Sequence, residues 1–352
     1  MHGLLAIHHR AGSFSDRWIE SCRAQQIPHK VVDCHDSNIF SQLDSAHALL
    51  WHHTHLSAAD ALLAKHLIRS VERMGLLVFP STPTCWHFDD KIAQKYLFES
   101  VSAPLVPTHV FYDKSAALRW IDQTTFPKVF KLRRGAGSQN VQLARNAAQA
   151  RRLTLRMFGR GFSSCPRVSG DARHKLRAYR GARDYLALLM RLPRKAWNAH
   201  ARRKEWPREK GYAYFQDFMP GNTKDTRVTI IGERAFAYTR GVRPHDFRAS
   251  GSGRINYDLA AIDVRCIELA FKIAERVGSQ SLAFDFVHDF EGQPWMVEVC
   301  FGYVAVLVHD CPGHWDRSLN WHAGHIWPQD AILEDLLATV EQREQTGPAA
   351  VA

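Results

Sequence analysis

Short apolar runs separated by amphipathic stretches fill the first 85 residues of the chain. LLAIH (4–8), HKVVD (29–33), ALLWH (48–52) and LLVF (76–79) each read as a short buried strand. Between them, 15–26 and 57–75 carry apolar residues at helical spacing. Strand alternating with helix predicts a parallel α/β unit over roughly 1–85. Pro80 and Pro83 mark a connector, and Asp89-Asp90 offer capping carboxylates to a helix running from Lys91 to about Val101. After Pro104 and Pro107 come a strand at 109–112, a helix at 115–122 and the strand PKVFKL. The expected division is an N-terminal α/β unit (1–88), a small lid (89–213), a C-terminal unit (214–344) closing on a helix at 329–343, and a disordered tail (345–352).

Period-two patterning is clearest in SLAFDFVHDFEGQPWMVEVC, residues 281–300. It predicts two strands around a two-residue turn at Glu291-Gly292. Leu282, Phe284 and Phe286 share one face, while Asp285 points the other way. On the return strand Trp295, Val297 and Val299 are apolar, with Glu298 and Cys300 opposite them. This register sets Asp285 across from Glu298, where like charges at roughly 5 Å repel unless something positive sits between them. A divalent cation carrying nucleotide phosphates suits an oxygen-rich pair. A solvated hairpin face with two unrelated acids is the alternative.

Two further clusters bear on anion binding. KVFKLRRGAGSQNVQLAR (128–145) reads as strand, glycine turn and strand, with Gly135, Ala136, Gly137 and Ser138 at the bend. Small residues there let backbone N–H groups approach phosphates, and Lys131 leads into the turn. The spacing matches neither GxGxxG nor GxxxxGK[ST], so dinucleotide-fingerprint and P-loop readings fail. From Tyr214 to Gly253, three strands lead into the Gly/Ser-rich loop VRPHDFRASGSG, whose Arg243, His245 and Arg248 suit phosphate or carboxylate. A flexible surface loop with solvated charges is the bland reading.

Composition narrows the class. In 352 residues no apolar run approaches the ~20 needed to span a bilayer, and the first residues lack a signal-peptide cleavage pattern. Seven scattered cysteines without a CxxC pair point to a reducing cytoplasm and against a disulfide framework. The net charge of +11 is concentrated: residues 151–210 carry +14 and everything else −3. Within that segment, basic residues interleaved with Leu, Tyr and Trp over 173–206 predict helices with three readings. They pack on the lid, contact an anionic lipid-linked or glycan substrate at the inner membrane face, or, least favoured, bind nucleic acid.

Taken in order, these clusters resemble the ATP-grasp superfamily, in its glutathione-synthetase and ribosomal-protein glutamate-ligase branch. The resemblance covers Lys91 to Cys300 and, more loosely, the α/β unit before it. It implies an α/β (α+β) ATP-grasp fold: a parallel N-terminal domain, a small lid and an antiparallel C-terminal domain. It implies that Lys91 and Lys131 hold ATP phosphates and that the turn Gly135–Ser138 folds over them. It implies an adenine-reading hinge at Gln216, Asp217 and Phe218, and a ribose-binding acid at Asp225. Arg240 and Arg248 would steady the transferring phosphate, and Asp285, Glu298 and Cys300 would stand at the ligand positions for Mg²⁺, with Mn²⁺ an alternative.

The implied activity is carboxylate–amine or carboxylate–thiol ligation through an acyl-phosphate. The implied partners are small-molecule, glycan or peptide carboxylates and amines, and a second copy of the chain. A phosphotransferase on the same fold, or a nucleotide-binding protein with a decayed metal site, are the rivals. Cys300 stands where the family has Asn, and a thiol is a poor ligand for a hard cation. His8-His9-Arg10 and Trp51-His52-His53 follow predicted strands, whose carboxyl ends face the crevice of an open α/β sheet. His309, Cys311, Trp315, Asp316 and His322 are expected to wall the site and read substrate.

Overall fold

A computed structural model describes residues 3–135, 140–165, 206–244 and 246–346. Gly137, Ser138, His245, the tail from 347 and most of the basic segment lie outside the described residues. No helix among those described is long and apolar enough to cross a membrane.

The first sheet is parallel, in the order β2-β1-β3-β4: β1 Leu5–His8, β2 His29–Val32, β3 Ala48–Leu50 and β4 Leu77–Phe79. Helices Phe14–Ala24 and Ala58–Arg73 join its strands, each opened by a serine whose hydroxyl accepts a backbone N–H. The four strands arise where the apolar runs predict them, with one difference. β2 is an edge strand, and its Val31 is exposed rather than buried.

The lid sheet runs β5-β10-β6-β7, from β5 Thr108–Phe111, β6 Lys128–Phe130, β7 Gln142–Ala144 and β10 Ala213–Asp217. A small β8–β9 pair (Phe162–Ser163 with Arg208–Glu209) flanks it. The largest sheet orders β15-β14-β11-β12-β16-β17, with β13 (Ile255–Asn256) also paired to β12. Its members are β11 Lys224–Ile231, β12 Arg234–Gly241, β14 Ser281–His288, β15 Pro294–Cys300, β16 Gly313–Trp315 and β17 Trp321–Ala323.

Among the described residues, three apolar cores hold these layers. One joins Leu49, Trp51 and helix Ala58–Arg73 to Phe284, Phe286 and the amphipathic helix Val264–Val277. A second joins Leu5, Ile7, Trp18 and Leu50 to Phe236, Tyr238, Tyr303 and helix Pro328–Thr346. Both faces of the parallel sheet are therefore packed into cores shared with the large sheet. The lid keeps its own, around Ile121, Phe130, Met157 and Phe215. The strand Gln216 belongs to leaves the lid and continues through Phe218–Thr223 into β11, so one short connector spans lid and large sheet.

The hairpin at 281–300 reaches the expected pairing by an unexpected route. The turn is five residues, Asp289–Gln293, closed by Asp289 N–H on Gln293 O (3.0 Å), which pairs Val287 with Trp295 and Phe286 with Met296. A bulge between Asp285 and Phe286 then inserts one residue and restores Asp285 opposite Glu298. The bulge reverses the expected faces upstream: Met296 is in the core, while Val297 faces the cleft beside Glu298.

Candidate functional site

Between the lid sheet and the large sheet lies a cleft of about 890 Å³, its open mouth included. Apolar walls come from Val106 and Val129 on one side and Val287 and Val297 on the other. The back is the connector, Gln216, Asp217, Phe218 and Met219. Lys131, Asp285 and Glu298 lie within one another's fields, and Asp217, Asn222, Lys224, Asp225 and Arg248 add to the polar lining, with Gly135 beside them. The cleft thus offers apolar walls between which a planar ring could slide, with charged side chains beside them.

Helix Lys91–Ser100 anchors the glycine turn. Asp90 caps it, accepting from Ala93 N–H (3.0 Å), and Lys91 N–H donates to Arg133 O (3.0 Å). Lys91 Nζ donates to Gly135 O (2.8 Å) and lies 3.5 Å from Glu298 Oε2. Asp89 accepts from Gly135 N–H (2.8 Å). Gly135 has φ 128°, a conformation that excludes side chains with a Cβ. One lysine therefore ties together the turn and the hairpin that carries the acids.

The two lysines are poised differently. Burial opposes charge on both, but Glu298 and Asp89 outweigh it at Lys91 and hold that ammonium above its ordinary value. Lys131 donates to the neutral amide oxygen of Gln216 (2.5 Å), and burial, only partly offset by Glu298, lowers it to about 8. A phosphate beside Lys131 would favour its protonated form. Nucleotide affinity should therefore hold below pH 8 and weaken up to about tenfold per pH unit above it. Fluorescent-ATP titrations at pH 7 and 9 check this, and Lys131→Met should flatten the dependence.

Asp285 is 4% exposed and saturated by protein cations. β11 places Arg227 opposite Asp285, and the guanidinium is bidentate on the carboxylate at 2.6 and 2.7 Å. β12 places Arg240 opposite Asp225, again bidentate at 2.8 and 2.6 Å, with a third contact to Asp285 Oδ2 at 2.8 Å. The positive partner predicted for Asp285 is thus an arginine pair in this structure. Burial opposes its ionisation, yet the two guanidiniums hold Asp285 well below the usual carboxylate range. Asp225 moves the other way, raised chiefly by burial despite Arg240.

Arg227 was not among the residues singled out from sequence. The signal was present: KDTRVTII puts Asp225 and Arg227 on one face of a strand and Val228 and Ile230 on the other. Removing Arg227 leaves a buried carboxylate half-paired, so Arg227→Met should cost about 3–5 kcal/mol. Urea unfolding checks it, and Arg227→Met combined with Asp285→Leu should recover part of the loss.

The remaining expected residues divide. Asp217 lines the cleft, but its carboxylate accepts from Lys128 (2.6 Å). Phe218 meets Phe247 edge-on at 5.7 Å, bringing the Arg243–Gly253 loop against the connector. Arg248 lines the cleft and is paired with Asp246 at 2.6 Å. His309, Cys311, Trp315, Asp316 and His322 do not wall the cleft. Trp315 pairs with Ala235 at the far end of β12 from Arg240, and Asp316 and His322 bond each other there. Cys311 is buried, its thiol pushed up to about 12 by burial, with Sγ on Ala237 O.

Two carboxylates on paired strands are the oxygen donors a hard cation prefers, but Arg227 and Arg240 occupy both Asp285 oxygens, so of the pair only Glu298 is open to a magnesium ion as the side chains stand. Cys300 fits poorly. Burial pushes its thiol up to about 12, so the sulfur keeps its proton and offers little to magnesium. Among the described residues, Asp285, Glu298 and Cys300 do not converge as a ready-made cluster; the convergent donor sets are His8, Asp33, His35 and Asp263, Cys266, His288.

No family model matches the chain, and no curated protein matches it. Solved structures do. An ATP-grasp RimK domain protein from Sphaerobacter thermophilus is 14% identical with a TM-score of 0.53, covering 95% of this chain and 99% of its own. The D-cycloserine synthetase DcsG is 16% identical (TM-score 0.54; 95% and 100% covered). The ATP-grasp ligase PsnB, complexed with a minimal precursor, is 12% identical (TM-score 0.56; 97% and 99% covered).

Proposed function

We propose that this chain, which has the ATP-grasp fold, is an ADP-forming ligase that joins a carboxylate to an amine through an acyl-phosphate. The observation that carries the reading is the convergence, on one cleft, of Lys131, the Lys91-anchored glycine turn, Asp285 and Glu298 beside apolar walls. Phosphoryl transfer asks chiefly for positioning and charge neutralisation, and this part of the cleft supplies both. The branch of the fold, the substrates and a second copy of the chain as partner stand as part of this proposal.

In this reading the base lies between Val106, Val129 and Val297, against the connector. Lys131 and Lys91 orient the phosphates, and the glycine turn approaches them with its backbone. Arg240 and Arg248 face the carboxylate being activated, neutralising charge as its oxygen takes the terminal phosphoryl group. The amine then displaces phosphate, and no protein nucleophile is needed. A magnesium ion held by Asp285 and Glu298 would screen charge on the phosphates. For the metal to reach Asp285, Arg227 or Arg240 must release one carboxylate oxygen.

Hydroxylamine stands in for an unknown amine. Incubation with ATP, Mg²⁺, hydroxylamine and a panel of carboxylic acids should yield a hydroxamate and ADP with at least one acid. ADP with phosphate retained on an alcohol, or an acyl-phosphate released when hydroxylamine is left out, would instead indicate the phosphotransferase. Cys300→Asn, which restores an oxygen donor beside Glu298, should keep or raise Mg²⁺-dependent ADP formation. Complete loss would assign the thiol a role of its own.

A further inference from the structure

Helix Val264–Val277 opens beside the end of β14, and three side chains with metal-ligand chemistry meet there: Asp263, Cys266 and His288. One oxygen, the sulfur and one ring nitrogen all lie within 4.8 Å of one another. Asp263 is the N-cap and Cys266 follows three residues on, a spacing that brings two side chains together over the first helical turn. His288 closes β14, and Asn222 fixes its backbone: Oδ1 accepts from His288 N–H (2.9 Å) and Nδ2 donates to His288 O (2.8 Å).

The cysteine is the telling member. Cys266 is 0% exposed, and among the described residues its Sγ has no hydrogen-bond partner, whereas Cys85 and Cys311 each reach a carbonyl oxygen. Burial pushes its thiol up to about 12, so the proton stays until a metal displaces it. A helix N-terminus favours the thiolate that results. Solvent reaches the other two, whose side chains are 28% (His288) and 21% (Asp263) exposed, and the sulfur lies on their core side.

The geometry and charges suit a divalent ion. His288 Nε2 donates to Asp263 Oδ2 at 2.9 Å. Tetrahedral zinc with N and O ligands at ~2.0–2.1 Å sets them roughly 3.3 Å apart, so an ion replaces that proton with little movement. Burial opposes ionisation of Asp263, but bonds from Arg265 and His288 hold it at about 2. Arg265 reaches both oxygens, with Nε on Oδ1 at 3.0 Å and Nη2 on Oδ2 at 2.7 Å. It is exposed and also donates to Gly292 O (2.7 Å), so it keeps Oδ1 when Oδ2 turns to a metal. Asp289 balances Arg265, and its oxygens are engaged by Glu291 N–H, Gln293 N–H and Trp295 Nε1. Lys224 is held on Ala261 O (2.9 Å). One carboxylate and one thiolate thus face the two charges of the ion. A sulfur, nitrogen and oxygen set suits zinc or cobalt rather than magnesium.

We propose that Asp263, Cys266 and His288 bind a divalent ion of the zinc class, which pins helix Val264–Val277 to the end of β14 beside Asn222. None of the three lines the ATP cleft, so this site does not depend on the ligase reading. The other convergent set, His8, Asp33 and His35, is committed elsewhere: His8 Nδ1 accepts from Cys34 N–H (3.0 Å) and His35 Nε2 bonds Asp60 (2.8 Å).

Cobalt(II) is the probe, because its spectrum reports a thiolate ligand directly. The full chain, stripped with EDTA and kept reduced, should take up one equivalent of Co²⁺ without ATP. A near-ultraviolet thiolate-to-cobalt band and the visible bands of a tetrahedral ion should appear, and Zn²⁺ should abolish both. Cys266→Ser should remove the thiolate band, and Cys300→Ala should leave it. His288→Gln, at a partly exposed residue, should weaken Co²⁺ uptake about tenfold or more, with circular dichroism showing the variant folded. No thiolate band in the wild type, an undiminished band in Cys266→Ser, its loss in Cys300→Ala, or unweakened uptake in His288→Gln overturns the proposal.

Discussion

Glu298→Gln should lower ADP formation by about 100- to 1000-fold, the range lost when one preorganised charge at a reacting phosphate is removed, while ATP still binds. Glu298 is the better probe of the two acids because of its surroundings. It is partly exposed, with Lys91 at 3.5 Å and the Lys131 ammonium within its field. Replacing its charge leaves Lys91 with Asp89 and Gly135 O and Lys131 with the Gln216 amide, so the fold should lose less than on removal of Asp285. Asp285 is a poorer probe: its removal would strand Arg227 and take one contact from Arg240, so lost activity would be confounded with lost stability. Steady-state ADP release, fluorescent-ATP affinity and a urea melt on the same Glu298→Gln preparation separate these effects. Wild-type turnover in that variant would remove Glu298 from the chemistry.

Acidification from pH 7 to pH 5 should cost the fold about 5 kcal/mol through three histidines alone. Burial lowers His52 and His53 to about 3 and His87 to about 4, against 6.5 in an unfolded chain. Between those values the unfolded state binds protons that the folded state refuses. Stability is thus complete above about pH 6.5 and falls as pH drops towards the folded values. Each histidine contributes about 1.4 kcal/mol per pH unit once its unfolded form is mostly protonated. Urea midpoints at half-unit steps check the slope. His87→Gln, at a ring with both nitrogens buried and unpartnered, should remove about one third of it. A flat profile between pH 7 and 5 would mean that these rings are solvated.

Much of the architecture can be read from apolar spacing because the strands are short, regular and bounded by polar turns. β1, β3 and β4 coincide with LLAIH, ALLWH and LLVF, and helix Lys91–Ser100 begins at its Asp90 cap. Where spacing misleads, tertiary geometry is the reason. A two-residue turn and a five-residue turn with a bulge both bring Asp285 opposite Glu298, and only the second turns Val297 towards the cleft. Period-two counting cannot register an inserted residue. Asp285 and Glu298 were legible as a pair needing positive charge; that Arg227 and Arg240 supply it depends on which strands flank β14, and sequence order does not disclose that β11 lies beside it.

The C-terminal stretch failed for a related reason. It follows the acidic hairpin immediately in sequence, and proximity along the chain was read as proximity in space. The chain instead runs through Ala305–His309 and crosses to the opposite end of β12, so Trp315 joins the sheet at Ala235. The histidines after β1 and β3 were legible only as strand-end residues. The unpartnered Nε2 atoms of His52 and His53 became visible once Phe14, Phe88 and Phe301 closed around them.

The acyl-phosphate itself is the central claim, and oxygen transfer tests it most directly. With the acid identified by the hydroxamate panel, both its carboxylate oxygens are enriched in ¹⁸O and the reaction is run with ATP, Mg²⁺ and amine. Each phosphate released should carry one ¹⁸O, seen as an upfield-shifted ³¹P resonance, because the carboxylate oxygen that took the phosphoryl group leaves with it. Unlabelled phosphate alongside product would contradict the account.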